Sequence, residues 1–153
     1  MGGLVKKILF LCTGNYYRSR YAEAYMKHLS SLLKLGVDCT SAGFEISKAD
    51  KLSNMYGEIS PFTKKRLVDQ QIFNLASEIR TELNNSLLLM SDKIIIIDKE
   101  EHTKYLCDYS AIKDMDVVYW NAKDIQDWAP KITLDLIEIN CQNLASEIWN
   151  DKF

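Results

Sequence analysis

The feature that most constrains this chain is an apolar run that ends in a cysteine and is followed, after five further residues, by Arg-Ser. Residues 8–11 are apolar and predict a buried strand, which ends in Cys12. A helical pattern then begins at Arg18. The sequence therefore predicts a short polar loop between a strand and a helix, with a cysteine at one end and an arginine at the other.

A loop of this layout is suited to binding an anion. The N–H groups of residues 13–18 curl into a helix N-terminus, have no acceptors within the helix, and add to the helix dipole. The same field stabilises a thiolate, so we expect Cys12 to be a nucleophile at neutral pH. The planar guanidinium of Arg18 can hold two oxygens of a phosphoryl group. Ser19 can donate a hydrogen bond to the thiolate.

Two further loop residues fit this interpretation. Gly14 permits a backbone conformation that a Cβ would resist, and Asn15 tolerates the left-handed region. The alternative is a buried cysteine at a strand end and an arginine on a helix surface, which leaves the other loop residues unexplained. The predicted phosphate-binding loop comprises Thr13, Gly14, Asn15, Tyr16, Tyr17 and Ser19.

At these residues the chain resembles the low-molecular-weight protein tyrosine phosphatase family. That family shares its fold with thioredoxin-coupled arsenate reductases and bacterial protein-arginine phosphatases. Weaker similarity continues at Ala22-Glu23-Ala24, at Ser41-Ala42-Gly43, at Ile59-Ser60-Pro61 and between residues 91 and 102. The resemblance implies that Ser41 supports the loop as the partner of Asn15.

The chain departs from the family pattern at three positions near the loop. Tyr17 stands where the family often has a second cysteine, so a disulfide within the loop is impossible. Tyr16 occupies a position at the pocket mouth that is often Ile in tyrosine phosphatases and Thr in arginine phosphatases, which leaves substrate choice open. Arg20 replaces a common proline, and we expect it to add positive charge near the entrance.

The resemblance also implies a general acid on a loop after the fourth strand, because an oxygen leaving group needs a proton. The apolar run 117–119 and Trp120 resemble the end of that strand, which places Asp124 at the matching offset. Ile125 stands where the family usually has proline. Asp127 is the competing candidate, and both aspartates also fit ordinary loop positions.

The order of patterns along the chain predicts an α/β fold, a three-layer sandwich with a central four-stranded parallel sheet and helices on both faces. Four consecutive isoleucines at 94–97 indicate a central parallel strand that is buried on both faces. The predicted strands are 7–12, 36–41, 93–97 and 116–120. The predicted helices are 18–34, one from Pro61, 78–90, and one marked by Ile137, Cys141, Leu144 and Ile148.

Length and composition set the remaining expectations. At 153 residues, 1–153 is expected to form a single domain. A net charge of −2 implies no nucleic-acid partner. No apolar run is long enough for a membrane span, and the N-terminus lacks the apolar core of a signal peptide. The four cysteines show neither metal-ligand spacing nor a disulfide framework, which predicts no metal, no cofactor and a cytoplasmic location.

Several aromatic residues near the loop are secondary candidates. Tyr16 is expected to line the cleft, Tyr25 to pack in the core, and Tyr21 to lie on an amphipathic surface. Phe44 and Tyr56 are possible contacts on a further rim of the site.

Asp98 and His102 resemble an acid/base pair, but their spacing better fits the start of a helix after the third strand. Asp98 is also a candidate for supporting the phosphate loop from behind. Cys39, Cys107 and Cys141 are expected to be small core or surface residues.

The sequence thus predicts a metal-independent phosphomonoester hydrolase, above all a protein-tyrosine phosphatase, with Cys12 as nucleophile, Arg18 as phosphate clamp and Asp124 as general acid and base. Its substrate would be a phosphorylated protein or a small aryl phosphate. Arsenate reduction is a rival, but the relay of two further cysteines that it needs is absent from residues 94–102. A phosphate-binding or phosphotyrosine-binding module is the second rival. The physiological substrate, whether phosphotyrosine, phosphoarginine or a small molecule, the regulatory partners and the oligomeric state are left open.

Overall fold

A computed structural model describes residues 6–47 and 58–150 of the chain. Its core is a sheet of four parallel strands in the order β2-β1-β3-β4, which confirms the predicted sheet. The strands are β1 (Lys6–Cys12), β2 (Val37–Gly43), β3 (Lys93–Ile96) and β4 (Val117–Tyr119).

Helices connect the strands, as parallel pairing requires. They are α1 (Arg18–Leu33), α2 (Pro61–Asp69), α3 (Asn85–Leu89), α4 (Lys99–His102) and α5 (Pro130–Trp149). Short 3₁₀ segments lie at Phe73–Leu75, Thr103–Asp108 and Ser110–Asp114. None of the helices in the described part of the chain is both long and apolar enough to cross a membrane.

The sheet is buried on both faces because alternate residues of β1 and β3 enter two separate clusters. Ile8 and Phe10 pack on one face with apolar residues of α1 and α5, such as Met26 and Ile137. Leu9 and its neighbours on the other face pack with α3 and with the 3₁₀ segments Thr103–Asp108 and Ser110–Asp114. Since successive side chains of a strand point to opposite faces, this confirms the three-layer arrangement.

The position of β1 in the sheet determines where a ligand can bind. β1 pairs with β2 on one side and with β3 on the other, so the connections that follow β1 and β2 lead to opposite sides of β1. In open α/β sheets this reversal leaves a crevice at the carboxyl ends of the strands. Cys12 and the loop that follows it lie at this crevice.

The predicted helix over residues 78–90 is wrong for most of its length. Only Asn85–Leu89 is helical, with Asn84 as its N-cap accepting a hydrogen bond from the Leu87 amide. The chain before it is extended and bonds to the end of β2, with the Gly43 N–H donating to the Thr81 carbonyl and the Leu83 N–H to the Gly43 carbonyl, both at 2.8 Å. These long-range backbone bonds outweigh the local helical pattern.

The tyrosines of α1 illustrate a second difference. Tyr25 packs in the core as expected, with 9% of its surface exposed. Tyr21, expected on the surface, is fully buried. Its hydroxyl donates to the Glu138 carboxylate at 2.8 Å and contacts Gln70, which provides partners for a buried phenol.

We predict that replacing Gly43 with alanine disturbs the cysteine loop. A Cβ at Gly43 would lie 2.6 Å from the Thr13 carbonyl oxygen and 2.9 Å from the Asn15 amide nitrogen, which are backbone atoms that cannot simply rotate away. The expected result is a loss of about 1–3 kcal/mol in the free energy of unfolding, together with an altered rate of Cys12 alkylation by iodoacetamide.

Gly36→Ala is the matched control. Gly36 has φ +71°, but a Cβ added there would have no atom within 4 Å, so its substitution costs about 1–2 kcal/mol of backbone strain without touching the loop. Equal alkylation rates in wild type and Gly43→Ala would contradict the prediction.

Candidate active site

Cys12 is the last residue of β1, and its side chain is buried beneath the loop that leads into α1. Its Sγ lies 2.9 Å from the Ser19 hydroxyl oxygen in the first turn of α1. The predicted order of strand, loop and helix is therefore present, with the helix beginning at Arg18 as expected. The N–H groups at the start of α1 are available to an anion above the sulfur.

Asn15 determines the shape of the loop. Its φ is +47°, in the left-handed region that the sequence predicted for it. Its side-chain oxygen accepts a hydrogen bond from the Thr81 amide at 2.7 Å. Its amide nitrogen donates to the hydroxyl of Ser41 at 2.8 Å and to that of Ser19 at 3.0 Å. The structure thus brings together Asn15 and Ser41, the pair that the resemblance implied.

A buried carboxylate anchors this network at Ser41, while the Thr81 N–H orients Asn15. Glu23, 2% exposed and paired with Lys27 at 2.8 Å, accepts a hydrogen bond from the Ser41 hydroxyl. Ser41 therefore accepts from Asn15, and Asn15 donates its second N–H to Ser19. The Ser19 proton is then free to point at Cys12 Sγ, which is the direction that stabilises a thiolate.

Arg18 is almost completely buried, and its guanidinium is held by two groups. Its Nη1 and Nη2 atoms donate to the two carboxylate oxygens of Glu101 at 2.9 and 2.8 Å. Nη1 also donates to the Ala122 carbonyl at 2.9 Å. Burial by itself would lower the pKa of Arg18, but the hydrogen bonds and charge of Glu101 raise it above its ordinary value. Arg18, the predicted phosphate clamp, therefore remains positively charged.

Glu101 lies at the centre of a group of side-chain donors. Besides Arg18, its carboxylate accepts from the Thr13 hydroxyl at 2.5 Å and contacts His102 Nε2 at 3.1 Å. Burial would raise the pKa of Glu101, but hydrogen bonds from His102 and Arg18 and the guanidinium charge hold it well below its usual range.

His102 is fully buried, and burial lowers its pKa, so its ring is neutral at neutral pH. Its Nδ1 accepts a hydrogen bond from the Asp98 backbone N–H at 3.2 Å, which leaves the proton on Nε2. That Nε2 also lies 3.1 Å from the Thr13 hydroxyl. His102, and not Asp98 as the sequence suggested, therefore contacts the phosphate loop.

Asp124 lies at the site, whereas the side chain of Asp127 contacts none of the described site residues. Asp124 Oδ2 lies 3.6 Å from Arg18 Nη2, and one quarter of its side chain is exposed. Asp127 is exposed, and its amide donates to the Asp124 carbonyl at 3.0 Å. Asp98, which the sequence placed at a helix start, accepts from Lys123 Nζ at 2.9 Å and so holds the loop that carries Asp124.

The mouth of the loop is bounded by an aromatic ring and a guanidinium. Arg80 lies 5.0 Å over the ring of Tyr16 and donates to the Gly14 carbonyl from Nε at 3.1 Å and from Nη2 at 2.7 Å. Tyr16, which we expected to line the cleft, is only 8% exposed. Tyr17 is buried too, and this burial raises its pKa to about 12.

Two expectations about the rim are wrong. Arg20, expected at the entrance, is 1% exposed and donates to the carbonyls of Glu58 and Ser77. Phe44, expected on a rim, is buried and stacks on Tyr105 with ring centroids 4.9 Å apart. Tyr56 lies outside the described residues.

Sequence reasoning missed Glu101, Arg80 and Ala122. Glu101 lies 83 residues from Arg18, so no spacing in the sequence connects them. The one available signal was the presence of acidic residues directly after a central strand, at the edge where the loop was expected. Ala122 contributes only a carbonyl group, which leaves no signal in the residue type.

No group of three or more His, Cys, Asp or Glu side chains within residues 6–47 and 58–150 is arranged to hold a metal ion. All four cysteines are free thiols, of which Cys107 is exposed and the others are buried.

Comparison with known families connects this geometry to an activity. Residues 7–152 match the family described as low molecular weight phosphotyrosine protein phosphatase. The chain belongs to this family. It is therefore a cysteine-dependent phosphatase, and the resemblance seen in the loop extends over the described fold.

Solved structures share the fold. YfkJ from Bacillus subtilis has a TM-score of 0.82 and 21% identity, covering 99% of this chain and 99% of that one. Wzb from Vibrio vulnificus, in complex with benzylphosphonate, has a TM-score of 0.75 and 18% identity, covering 93% and 98%. The Bacillus subtilis arginine phosphatase YwlE, as a mutant with a phosphorylated active-site serine, has a TM-score of 0.74 and 21% identity, covering 95% and 97%. No curated protein matches the sequence.

We predict that Glu23→Gln slows alkylation of Cys12 at neutral pH. An amide is a weaker acceptor than the carboxylate and can also donate to Ser41, which weakens the contact between Ser41 and Asn15. Asn15 would then be held less firmly against Ser19, so the thiolate would lose a well-placed donor. A hydrogen bond to a charged group contributes about 1.5–3 kcal/mol, which corresponds to roughly a tenfold or greater decrease in rate. Lys27→Met is the control, because it removes the ion pair but keeps the carboxylate. If both variants react at the wild-type rate, Glu23 does not orient the network.

We predict that Glu101 makes the protein sensitive to acid. The pKa of Glu101 is lower in the folded than in the unfolded chain, so its contribution to stability is complete above about pH 4.3 and is lost as the pH falls through the folded pKa. Denaturant unfolding at a series of acidic pH values should show a shallower loss for Glu101→Gln than for wild type. Glu100→Gln, at an exposed neighbouring site, should follow the wild-type curve.

Proposed function

We propose that this protein is a protein-tyrosine phosphatase that acts through a phosphocysteine at Cys12. The observation that carries the proposal is the meeting of three groups at one loop. Cys12 contacts the Ser19 hydroxyl at 2.9 Å, the buried Arg18 follows at the end of the loop, and Asp124 lies 3.6 Å from Arg18. A nucleophile, a phosphate clamp and a proton donor are the groups that hydrolysis of an aryl phosphate needs.

In the first step, the Cys12 thiolate attacks phosphorus in line with the leaving oxygen. Arg18 and the loop N–H groups hold the remaining phosphoryl oxygens and stabilise the charge that develops on them. The phosphorus–oxygen bond to the phenol breaks, and Asp124 gives its proton to the departing oxygen. The product of this step is a phosphocysteine and a free phenol.

In the second step, Asp124, now a carboxylate, takes a proton from a water molecule that attacks the phosphocysteine. The sulfur–phosphorus bond breaks and inorganic phosphate forms. The Ser19 hydroxyl stabilises the released thiolate by donating a hydrogen bond to it. The structure of YwlE with a phosphorylated active-site serine supports a covalent step in this fold. Dividing one displacement into two is the usual benefit of a covalent nucleophile.

Arsenate reduction on the same scaffold is less favoured. A relay needs two further cysteines beside the first, yet Cys39 and Cys141 are buried in the core and Cys107 is exposed beyond α4. The active-site groups instead include a candidate acid, which reduction through thiols does not require.

We infer that the enzyme acts in the cytoplasm on phosphorylated proteins or small aryl phosphates. Four free cysteines are compatible with a reducing compartment. The match to a family of phosphotyrosine phosphatases favours an aryl phosphate. Tyr16 does not decide the substrate, because its ring is 8% exposed and Arg80 lies over it. We also propose that residues 1–153 form a single domain.

We predict that Asp124→Asn lowers the turnover of phenyl phosphate by about 10²–10⁴-fold, because phenol needs a proton to leave. The loss should be much smaller with p-nitrophenyl phosphate, whose leaving group is stable as an anion. The comparison uses kcat/KM, because it reports the step that forms the phosphocysteine, whereas kcat also includes its hydrolysis, in which Asp124 takes part with either substrate.

Asp127→Asn is the matched control and should behave as wild type on both substrates. If it shows the leaving-group dependence instead, Asp127 is the acid. Cys12→Ser should be inactive on both substrates while remaining folded. Activity of that variant would refute Cys12 as the nucleophile, whereas a wild type that hydrolyses no aryl phosphate would favour a binding module. A panel of phosphotyrosine, phosphoarginine and phosphoserine peptides then assigns the substrate.

A further inference from the structure

We propose that Glu101 is a positioning residue that fixes Arg18 with its phosphate-binding edge turned toward the loop. The inference rests on the proposed function, because it requires Arg18 to hold phosphoryl oxygens. It adds a residue of α4 that acts through Arg18 to the three groups of the proposed mechanism, Cys12, Arg18 and Asp124.

The contacts of the guanidinium determine which of its edges is free. A guanidinium carries five N–H donors arranged in a plane. Glu101 occupies the outer edge, taking one donor from Nη1 at 2.9 Å and one from Nη2 at 2.8 Å. The Ala122 carbonyl takes the second Nη1 donor at 2.9 Å.

Within the described residues, these contacts leave the Nε–H and one Nη2–H of Arg18 without a hydrogen-bond acceptor. The Asp124 carboxylate lies near Nη2 at 3.6 Å, which is beyond hydrogen-bond distance, so both donors can bind a ligand. Those two donors are parallel and lie on one side edge of the plane, which is the geometry that binds two oxygens of a phosphoryl group. Glu101 therefore selects the edge that faces substrate.

Glu101 can perform this role because it is itself fixed. Its Oε2 atom accepts from the Thr13 hydroxyl at 2.5 Å and lies 3.1 Å from His102 Nε2. His102 is anchored in turn by the Asp98 backbone N–H. The orientation of Arg18 is thus set by the residues of α4. Fixing a long side chain before substrate arrives removes an entropic cost from the binding step.

The alternative is that Glu101 competes with phosphate for Arg18. The donors that reach Glu101 within the described residues are side chains, namely Arg18, Thr13 and His102, and not the loop N–H groups that would bind phosphate. Glu101 therefore lies beside the cradle and not within it, which favours positioning.

The test compares Glu101→Ala, Glu101→Asp and Glu100→Ala. Glu100 is the adjacent residue of α4, with 87% of its side chain exposed and Lys123 as its partner at 3.1 Å. For Glu101→Ala we expect kcat/KM on p-nitrophenyl phosphate to fall by about 10²-fold, since a misplaced positioning group has effects of this size. The dissociation constant for orthovanadate, measured by calorimetry, should rise about tenfold or more.

Glu101→Asp keeps the charge but shortens the reach, so it should lie between Glu101→Ala and wild type. Glu100→Ala should match wild type in both measurements. A thermal melt gives the folded fraction of each variant at the assay temperature. Dividing the measured rate by that fraction separates a positioning effect from a loss of stability. A crystal of wild type with orthovanadate should show Glu101 still on Nη1 and Nη2 and the anion on Nε and Nη2.

Three outcomes would overturn the inference: unchanged kinetics in Glu101→Ala, tighter orthovanadate binding in that variant, or an anion that displaces Glu101 in the crystal. In each case wild type would still hydrolyse aryl phosphates, and the proposed function would stand. An inactive wild type that nonetheless binds orthovanadate with the predicted contacts would refute the proposed catalysis and leave the position of Glu101 intact.

Discussion

The whole site depends on a loop whose N–H groups must turn inward toward an anion. Such a loop cannot be stabilised by bonds within its backbone, so its shape must come from its surroundings. Asn15 supplies most of this support, because its left-handed backbone turns the chain and its amide joins Thr81, Ser41 and Ser19. The chain after β2 adds further bonds to the outer face of the loop, from the Phe44 amide to the Cys12 carbonyl at 2.9 Å and from the next residue to the Thr13 carbonyl.

Two buried arginines beside this loop are stabilised in different ways, and the difference follows from their roles. Arg20 donates to backbone carbonyls and joins the loop to the segments at Glu58 and Ser77, so it acts as a structural crosslink. Burial lowers its pKa. Arg18 is paired with a full carboxylate on one edge, which compensates its charge and leaves the other edge for substrate. A buried cation without such a partner is costly.

Much of the fold could be predicted from the sequence, because its signals are local. The apolar strands and the loop layout depend on neighbouring residues, and they place Cys12 and Arg18 correctly at the two ends of the loop. The segment after residue 78 could not be predicted, because backbone bonds to Gly43 determine its structure. Glu101 was missed for a related reason: its partner is brought to it only by the pairing of β1 with β3.

The side chain of Tyr17 has a consequence for how the enzyme responds to peroxide. Oxidation of Cys12 gives a sulfenic acid, which a second thiol nearby can convert to a reversible disulfide. Tyr17 provides no such thiol in this loop, and Cys39 and Cys141 are buried in the core. Further oxidation leads to sulfinic acid, which ordinary thiols do not reduce. The working lifetime of each molecule would then depend on the reductants around it, since its own loop holds no second sulfur to protect the first.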